Sequence, residues 1–503
     1  MRKLLLGLLP IACTISSADT KPEQRIAAPN NQPIIEKGQG CGPAGQDIAT
    51  DGGGGTSVRD RRAPRSVKGG EAGEADDADY ERAPMKKPAP GRVATDRAPP
   101  PPPAVAPSST TPSPVTGGRG GAPSPAKIAT ARPPMEQPSG VRAGEWDDNA
   151  NYRDYVKWLA NSSTRPRIDV TGRQFLVVTD TAGKPMPNVP ITITSSGTSA
   201  KLTTMASGRA ILFPTAFGLS GDLTATATFN GATATAKLSA KTVDGVIKLQ
   251  LPTTRVLPAK RIVDLAFVLD TTGSMSEEID AVKQTIKAVS DQLSTAQTDV
   301  RIGLVEYKDR SDCLLTRTFP FSSDLRAFGA SVANVSASGG GDMPEDLHKG
   351  LDAALDKLQW RSDAATRMVV VIADAPPQFY AQSNDYTNAA KRASARGIKL
   401  YTVAASGMDN LGQVVMRQMS QFTGASNMFV LRGGAGPQST GGGDPTSSCG
   451  GTHQDFSSGK LDQLIMRKVR QELASIDADP MKIPGRGQDE NAKPCEQRLV
   501  LAN

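Results

Sequence analysis

The chain has 503 residues, room for two or three ordinary domains, yet it carries Gly 49, Pro 38 and only 4 % aromatic residues. Glycine and proline are poor occupants of helix and strand interiors, so this composition excludes one evenly folded globule. Two His, and 58 Lys+Arg against 51 Asp+Glu for a net +7, argue against a histidine-based metal enzyme and against a strongly basic nucleic-acid binder.

Arg2 and Lys3 precede a short apolar run, Leu4 to Ala12, and Cys13 follows at once. A charged start and a run this short predict an export signal over 1–13 rather than a membrane span. Pro10-Ile11-Ala12-Cys13 resembles the bacterial lipobox, departing from it at Pro10, where Leu is usual. The resemblance implies lipidation of Cys13 and a membrane anchor. The expected location is an outer-membrane or cell-surface lipoprotein, or the periplasm. Export leads to oxidising conditions, where Cys41, Cys313, Cys449 and Cys495 are able to pair. Four cysteines allow three pairings and the sequence leaves them open, with Cys449–Cys495 the easier one because both lie near the C-terminus.

Residues 14–145 hold the unusual composition. Sixteen prolines fall between Pro84 and Pro138, and Tyr80 is the lone aromatic from 20 to 145. Such a stretch cannot bury enough apolar surface to offset its ordering entropy and reads as a disordered stalk. At 146–164 the character changes: Tyr152, Tyr155, Val156 and Leu159 follow i, i+3, i+4, i+7 spacing after Trp146. This predicts an amphipathic helix whose stripe docks on a neighbouring domain.

From 165 to 253 short Thr- and Val-rich runs alternate with turns, as in Phe175 to Thr179, Val189 to Thr194 and Leu223 to Phe229. The pattern predicts a small antiparallel β-sandwich. The run VTDTAGKPMPNVPITITSSG followed by TTMASGRAILFP resembles the carboxypeptidase-regulatory and bacterial Ig-like families, which implies a spacer or binding module. This region is basic, with 13 Lys+Arg against 7 Asp+Glu over 146–260, and reads as a solvated surface.

From 261 to 476 the pattern becomes alternating strand and helix. Val263 to Leu269 and the continuously apolar Met368 to Ala373 read as strands covered on both faces. Between them, Ile279, Val282, Ile286, Val289 and Leu293 form one helical stripe behind the N-cap candidate Ser276. Leu314 to Phe321 follows its neighbour after a short link and is expected as an antiparallel edge. The rest predicts an α/β domain: a doubly wound, mostly parallel Rossmann-like sheet, whose ligands bind beyond the carboxyl ends of the strands. Residues 477–503 read as an irregular tail.

Three loops at those strand ends hold the reactive chemistry: Asp270-Thr-Thr-Gly-Ser274, Gly339-Gly-Gly-Asp342-Met-Pro-Glu345-Asp346 and Asp374-Ala-Pro-Pro377. Carboxylates and hydroxyls converging on one edge suit a hard cation such as Mg²⁺. Here the chain resembles the von Willebrand factor type A (VWA) family. Its metal-ion-dependent adhesion site has D-x-[ST]-x-S after the first strand, a Thr or acidic residue in a second loop, and an Asp after the fourth strand. Asp270, Thr272 and Ser274 match the first part and Asp374 the last. The second loop departs from the usual Thr and is similar to a variant of bacterial members. Asp342 is its expected ligand, with Glu345 as the alternative. The resemblance implies direct metal bonds from Thr272 and Ser274 and water-mediated ones from Asp270 and Asp374. It further implies Mg²⁺, or Mn²⁺ or Ca²⁺, and a protein partner whose Asp or Glu completes the metal shell.

An enzyme is the rival reading, since DTTGSM also looks like the DKTGT of aspartyl-phosphate enzymes. Those enzymes place an acid or Lys after the nucleophile, where Thr271 stands, and their second motif follows an apolar strand rather than Ser336 to Gly341. Neither histidine accompanies a nucleophile motif. The expectation is therefore a non-enzymatic envelope adhesion protein. The alternative is an envelope assembly or regulatory scaffold in which the metal is only structural.

Overall fold

The computed structural model describes residues 32–41, 141–150, 152–161, 168–293, 297–341, 343–379, 385–405, 407–430 and 457–481. The export signal with Cys13, most of 14–140, Asp342, Cys449, Cys495 and the tail beyond 481 lie outside them.

In chain order the first elements are β1 (Ile34–Lys37), β2 (Arg142–Trp146) and α1 (Tyr152–Asn161). Seven strands follow: β3 (Gln174–Thr179), β4 (Pro190–Ser195), β5 (Thr198–Thr203), β6 (Arg209–Leu212), β7 (Asp222–Phe229), β8 (Ala232–Ser239) and β9 (Gly245–Gln250). They form two sheets, β6-β3-β9 and β5-β4-β7-β8. Strict alternation aims Leu223, Ala225 and Ala227 of β7 inward, where they meet Leu176, Ile191, Leu212 and Leu249 in one core. Gly208 (φ +67°) closes a turn so tight that a Cβ there would lie 2.7 Å from both Met186 N and Val178 O. The sandwich is not wholly antiparallel, because β3 and β9 pair in parallel. The reason is topological: the chain leaves the four-stranded sheet after β8 and enters the other sheet by a crossover rather than a hairpin.

The remaining elements are β10 (Arg261–Asp270), α2 (Ile279–Leu293), β11 (Thr298–Tyr307), β12 (Leu314–Ser322), α3 (Leu325–Ala333), α4 (Leu347–Asp352), β13 (Thr366–Ala373), α5 (Tyr386–Ala395), β14 (Ile398–Ala404), α6 (Asn410–Phe422), β15 (Asn427–Val430), β16 (Ser457–Lys460) and α7 (Leu461–Ser475). Nine strands form one sheet in the order β1-β12-β11-β10-β13-β14-β15-β2-β16. The five central strands are parallel, and every flanking pair is antiparallel. The sheet is therefore mixed, with the expected parallel order confined to its centre. All of β13 is buried. Its Val369, Val371 and Ala373 meet residues of α1, α4, α5 and α6 on one face, and its Met368, Val370 and Ile372 meet α2, α3 and α7 on the other.

Two pieces of the proposed stalk are sheet strands. Ile34–Lys37 pairs with β12, so β12 is not an edge. Arg142–Trp146 lies between β15 and β16. Cys41 and Val141 thus stand toward opposite sides of the sheet. Trp146 belongs to β2, not to the predicted helix, which begins at Tyr152: its backbone pairs with Asn427 and its ring lies 4.3 Å from that of Phe429. The aromatic stripe of α1 packs into the core shared with the α/β region, as Tyr155, Trp158 and Leu159 are all buried.

Candidate metal centre at the carboxyl edge of the sheet

β10 runs apolar and fully buried until its last residue, Asp270. The chain then turns through Thr271, whose N–H donates to Tyr307 O (3.1 Å) at the end of the neighbouring strand. Asp270 Oδ1 accepts the Thr272 N–H (3.0 Å) and the Thr272 hydroxyl (2.7 Å). This i to i+2 closure is what the Asp-x-Thr spacing provides. The Thr272 and Ser274 hydroxyls are 3.2 Å apart, and Ser274 bonds to the Asp374 carboxylate at the end of β13. Asp270 and Thr272 are buried while Ser274 is exposed, so the group opens to the surface at Ser274.

The second loop is bound to both of its neighbours. Gly273 N donates to Gly339 O (2.8 Å), and Ser338 N donates to Thr271 O (3.0 Å). Gly340 (φ +79°) lies against the site: a Cβ there would be 2.9 Å from Thr272 Cβ and 3.0 Å from Glu345 Oε1. Glu345 N donates to Pro376 O (3.0 Å), and Gln378 N donates to Glu345 O (2.8 Å). Loop two is thereby fastened to the loop that carries Asp374.

The structure thus connects Asp270, Thr272, Ser274 and Asp374 by hydrogen bonds and places Glu345, 3 % exposed, beside them. Of the two expected second-loop ligands, Glu345 is the one whose position is described. Tyr307, Asp309 and Asp312 complete the surroundings and were not singled out from sequence. Tyr307 donates its hydroxyl to Asp270 Oδ2 (3.2 Å). It is directly opposite Asp270 in the parallel pairing of β10 and β11, so strand alignment was the signal that could have found it. His348 is buried, with Nε2 against Gln378 O, and is a loop fastener.

Electrostatics set this edge apart. Burial, then the nearby Asp374, pushes Asp270 up to about 7. Burial, then Asp270, Asp309, Asp312 and Asp374, pushes Glu345 up to about 9. Burial also raises Asp374, against the bond from Ser274. Asp374 Oδ1 and Glu345 Oε2 are buried acceptors with no hydrogen-bond partner. Buried carboxylates that raise one another's pKa and keep orphan oxygens fit a hard cation. Among the described residues no three His, Cys, Asp or Glu side chains form a metal cluster by themselves.

Residues 264–433 match the von Willebrand factor type A domain. This VWA domain begins within β10 and contains all three loops. The alpha-protein kinase vwkA of Dictyostelium discoideum is 33 % identical over 141 residues, which are 27 % of this chain and 22 % of the kinase. The von Willebrand factor A domain-containing protein 7 of Rattus norvegicus is 34 % identical over 125 residues, 25 % of this chain and 13 % of its own. The likeness to these relatives is therefore confined to a small part of each. Among solved structures, proximal thread matrix protein 1 from the mussel byssus aligns over 30 % of this chain and 38 % of its own, with 15 % identity and a TM-score of 0.25.

Proposed function

We propose that this is a non-enzymatic binding protein of the cell envelope. It is exported, held at the membrane by a lipid on Cys13, and captures a protein partner through a divalent cation at the VWA site. Thr272, Ser274, Asp374 and either Glu345 or Asp342 would hold the cation, Mg²⁺ first and Mn²⁺ or Ca²⁺ on the same oxygen donors. Asp270 orients Thr272 through two hydrogen bonds. When bound, the cation supplies an electrophilic position for a carboxylate from outside, since hydroxyl ligands leave its charge largely unneutralised. Ser274 is exposed and is where an Asp or Glu of the partner would enter.

The observation that carries this reading is the pair of orphan acceptors, Asp374 Oδ1 and Glu345 Oε2, buried next to the Thr272–Ser274 hydroxyl pair. A second reading, an envelope scaffold whose cation only stabilises the fold, draws on the burial of Asp270, Glu345 and Asp374. Capture of partners from the native envelope, with and without EDTA, separates the two. The adhesion reading expects capture to be lost in EDTA, restored by Mg²⁺ and absent in Asp270→Ala. Capture that ignores chelation favours the scaffold.

A further inference from the structure

The N-terminal segment 34–41 lies directly on the loop that supports the metal edge. β1 adds to β12, and the chain then crosses loop 309–313. Gly38 N donates to Cys313 O (2.9 Å), Gln39 N to Arg310 O (2.7 Å) and Gly40 N to Asp312 O (3.3 Å). The approach is so close that a Cβ on Gly38 would lie 2.2 Å from Asp312 O, and one on Gly40 2.0 Å from Ser311 O. Cys41 then forms a disulfide with Cys313.

That loop meets the second loop at Asp312, and Arg310 pairs with Asp346 at 3.5 Å. Both carboxylate oxygens of Asp312 accept the Gly340 N–H, each at 3.0 Å, and Gly340 packs on Thr272 and Glu345. A second route runs through Glu36, which pairs with Lys357 and, at 3.5 Å, with Lys349 of α4. α4 follows directly on Glu345 and Asp346. Both routes reach the second loop, which is the loop without the usual Thr.

β1 itself is a weak hold. It has four residues, and its Ile34 and Ile35 are 45 % and 59 % exposed. Strands this short with little buried apolar surface do not stay paired by themselves. The covalent bond therefore keeps the segment on the loop by holding its ends at high effective concentration.

We infer that the Cys41–Cys313 disulfide is a redox-controlled bolt on the metal site: closed, it holds the Asp312–Gly340 contact in place, and opened, it lowers the site's affinity for a divalent cation. Opening needs a dithiol reductant. The S–S bond breaks, two electrons and two protons convert it to two thiols, and the reductant leaves as its own disulfide. The inference rests on the metal-binding reading above.

The test uses the full chain in three forms: oxidised, reduced by a dithiol and then reoxidised, together with Cys41→Ser/Cys313→Ser. Mn²⁺ is titrated calorimetrically, and amide hydrogen exchange of 309–313 and 338–341 is followed in the same samples without metal. The expected result is cation affinity about 10-fold weaker in the reduced protein and the double variant, as for loss of outer support at other metal sites. Recovery on reoxidation and faster exchange in both loops on reduction are expected too. Equal Mn²⁺ affinity in oxidised and reduced protein overturns the inference and leaves the metal reading standing. No Mn²⁺ binding by the oxidised protein overturns the metal reading, and unchanged exchange on reduction then overturns the bolt as well. Circular dichroism of the reduced wild type separates loosening from unfolding.

Discussion

Two buried regions of this molecule handle carboxylates in opposite ways. Beneath α6, Asp148 is buried with Arg417, both 1 % exposed at the side chain, and joined at 2.6 and 2.8 Å. The guanidinium also lies over the rings of Trp158 (3.7 Å), Trp146 (4.9 Å) and Tyr155 (5.3 Å). At the carboxyl edge of the sheet, Asp270, Glu345 and Asp374 are buried as deeply, yet orphan acceptor oxygens remain. One core supplies its own cation and the strand edge leaves acids without one, and the proposed function assigns that second place to a cation from outside. A buried charge is otherwise expensive.

The largest effect should come from taking the resident cation away. Arg417→Met leaves Asp148 buried and unpaired and is expected to cost about 3–5 kcal/mol in urea unfolding. Arg417→Met with Asp148→Leu should recover most of that loss. If the single variant is as stable as wild type, the two regions do not differ as argued.

Next comes pH. The folded pKa of Asp270 stands at about 7 against 3.8, and that of Glu345 at about 9 against 4.5. Each proton therefore stabilises the metal-free fold at low pH, and that contribution is lost as pH rises through those values. Metal-free protein should lose a few kcal/mol between about pH 4 and 9, and saturating Mg²⁺ should remove most of the loss above pH 7 by competing with protons. Asp148, pushed up to about 6 by burial, loses stability over about pH 4 to 6 with or without metal, so the metal-dependent difference belongs to the site. Melting curves at several pH values with EDTA or Mg²⁺ check this, and parallel curves would count against the site.

Above about pH 9, where Glu345 is ionised, Glu345→Gln and Asp374→Asn should act oppositely to Arg417→Met. There each removes a repelling charge and is expected to raise metal-free stability by about 1 kcal/mol, and at any pH each should weaken Mn²⁺ binding. Calorimetry and thermal shifts on the same variants read both. The smallest effect serves as a control. Lys287 and Asp291 form an exposed i, i+4 pair at 2.6 Å, and Lys287→Ala should change stability by no more than about 0.5 kcal/mol.

Much of the centre of the molecule was legible from sequence because its signals are local. The continuous apolar run of β13, the stripe of α2 and the Asp270-x-Thr272-x-Ser274 spacing each depend on residues within a few positions of one another. The edges were not legible. RAGEW of β2 carries little strand propensity and is a strand because β15 and β16 pair with it on both sides. IIEK is too short a run to separate from a linker. Cysteine arithmetic leaves three pairings open, and Cys41 pairs with Cys313 across a sequence separation of 272, the arrangement compatible with the Cys449–Cys495 pairing that the sequence favours.

By itself, then, the sequence determined the alternation of strand and helix, the turns that need glycine, and the hydroxyl and carboxylate motif at the end of β10. Those follow from backbone sterics, side-chain periodicity and short-range hydrogen bonds. Only the tertiary structure decided that 34–41 is clasped to loop 309–313, that Tyr307 joins Asp270 at the site, and that Arg417 neutralises Asp148 inside an aromatic box. These depend on which strand ends the sheet order brings together, and on burial, which turns modest local chemistry into strong mutual dependence between groups distant in the chain.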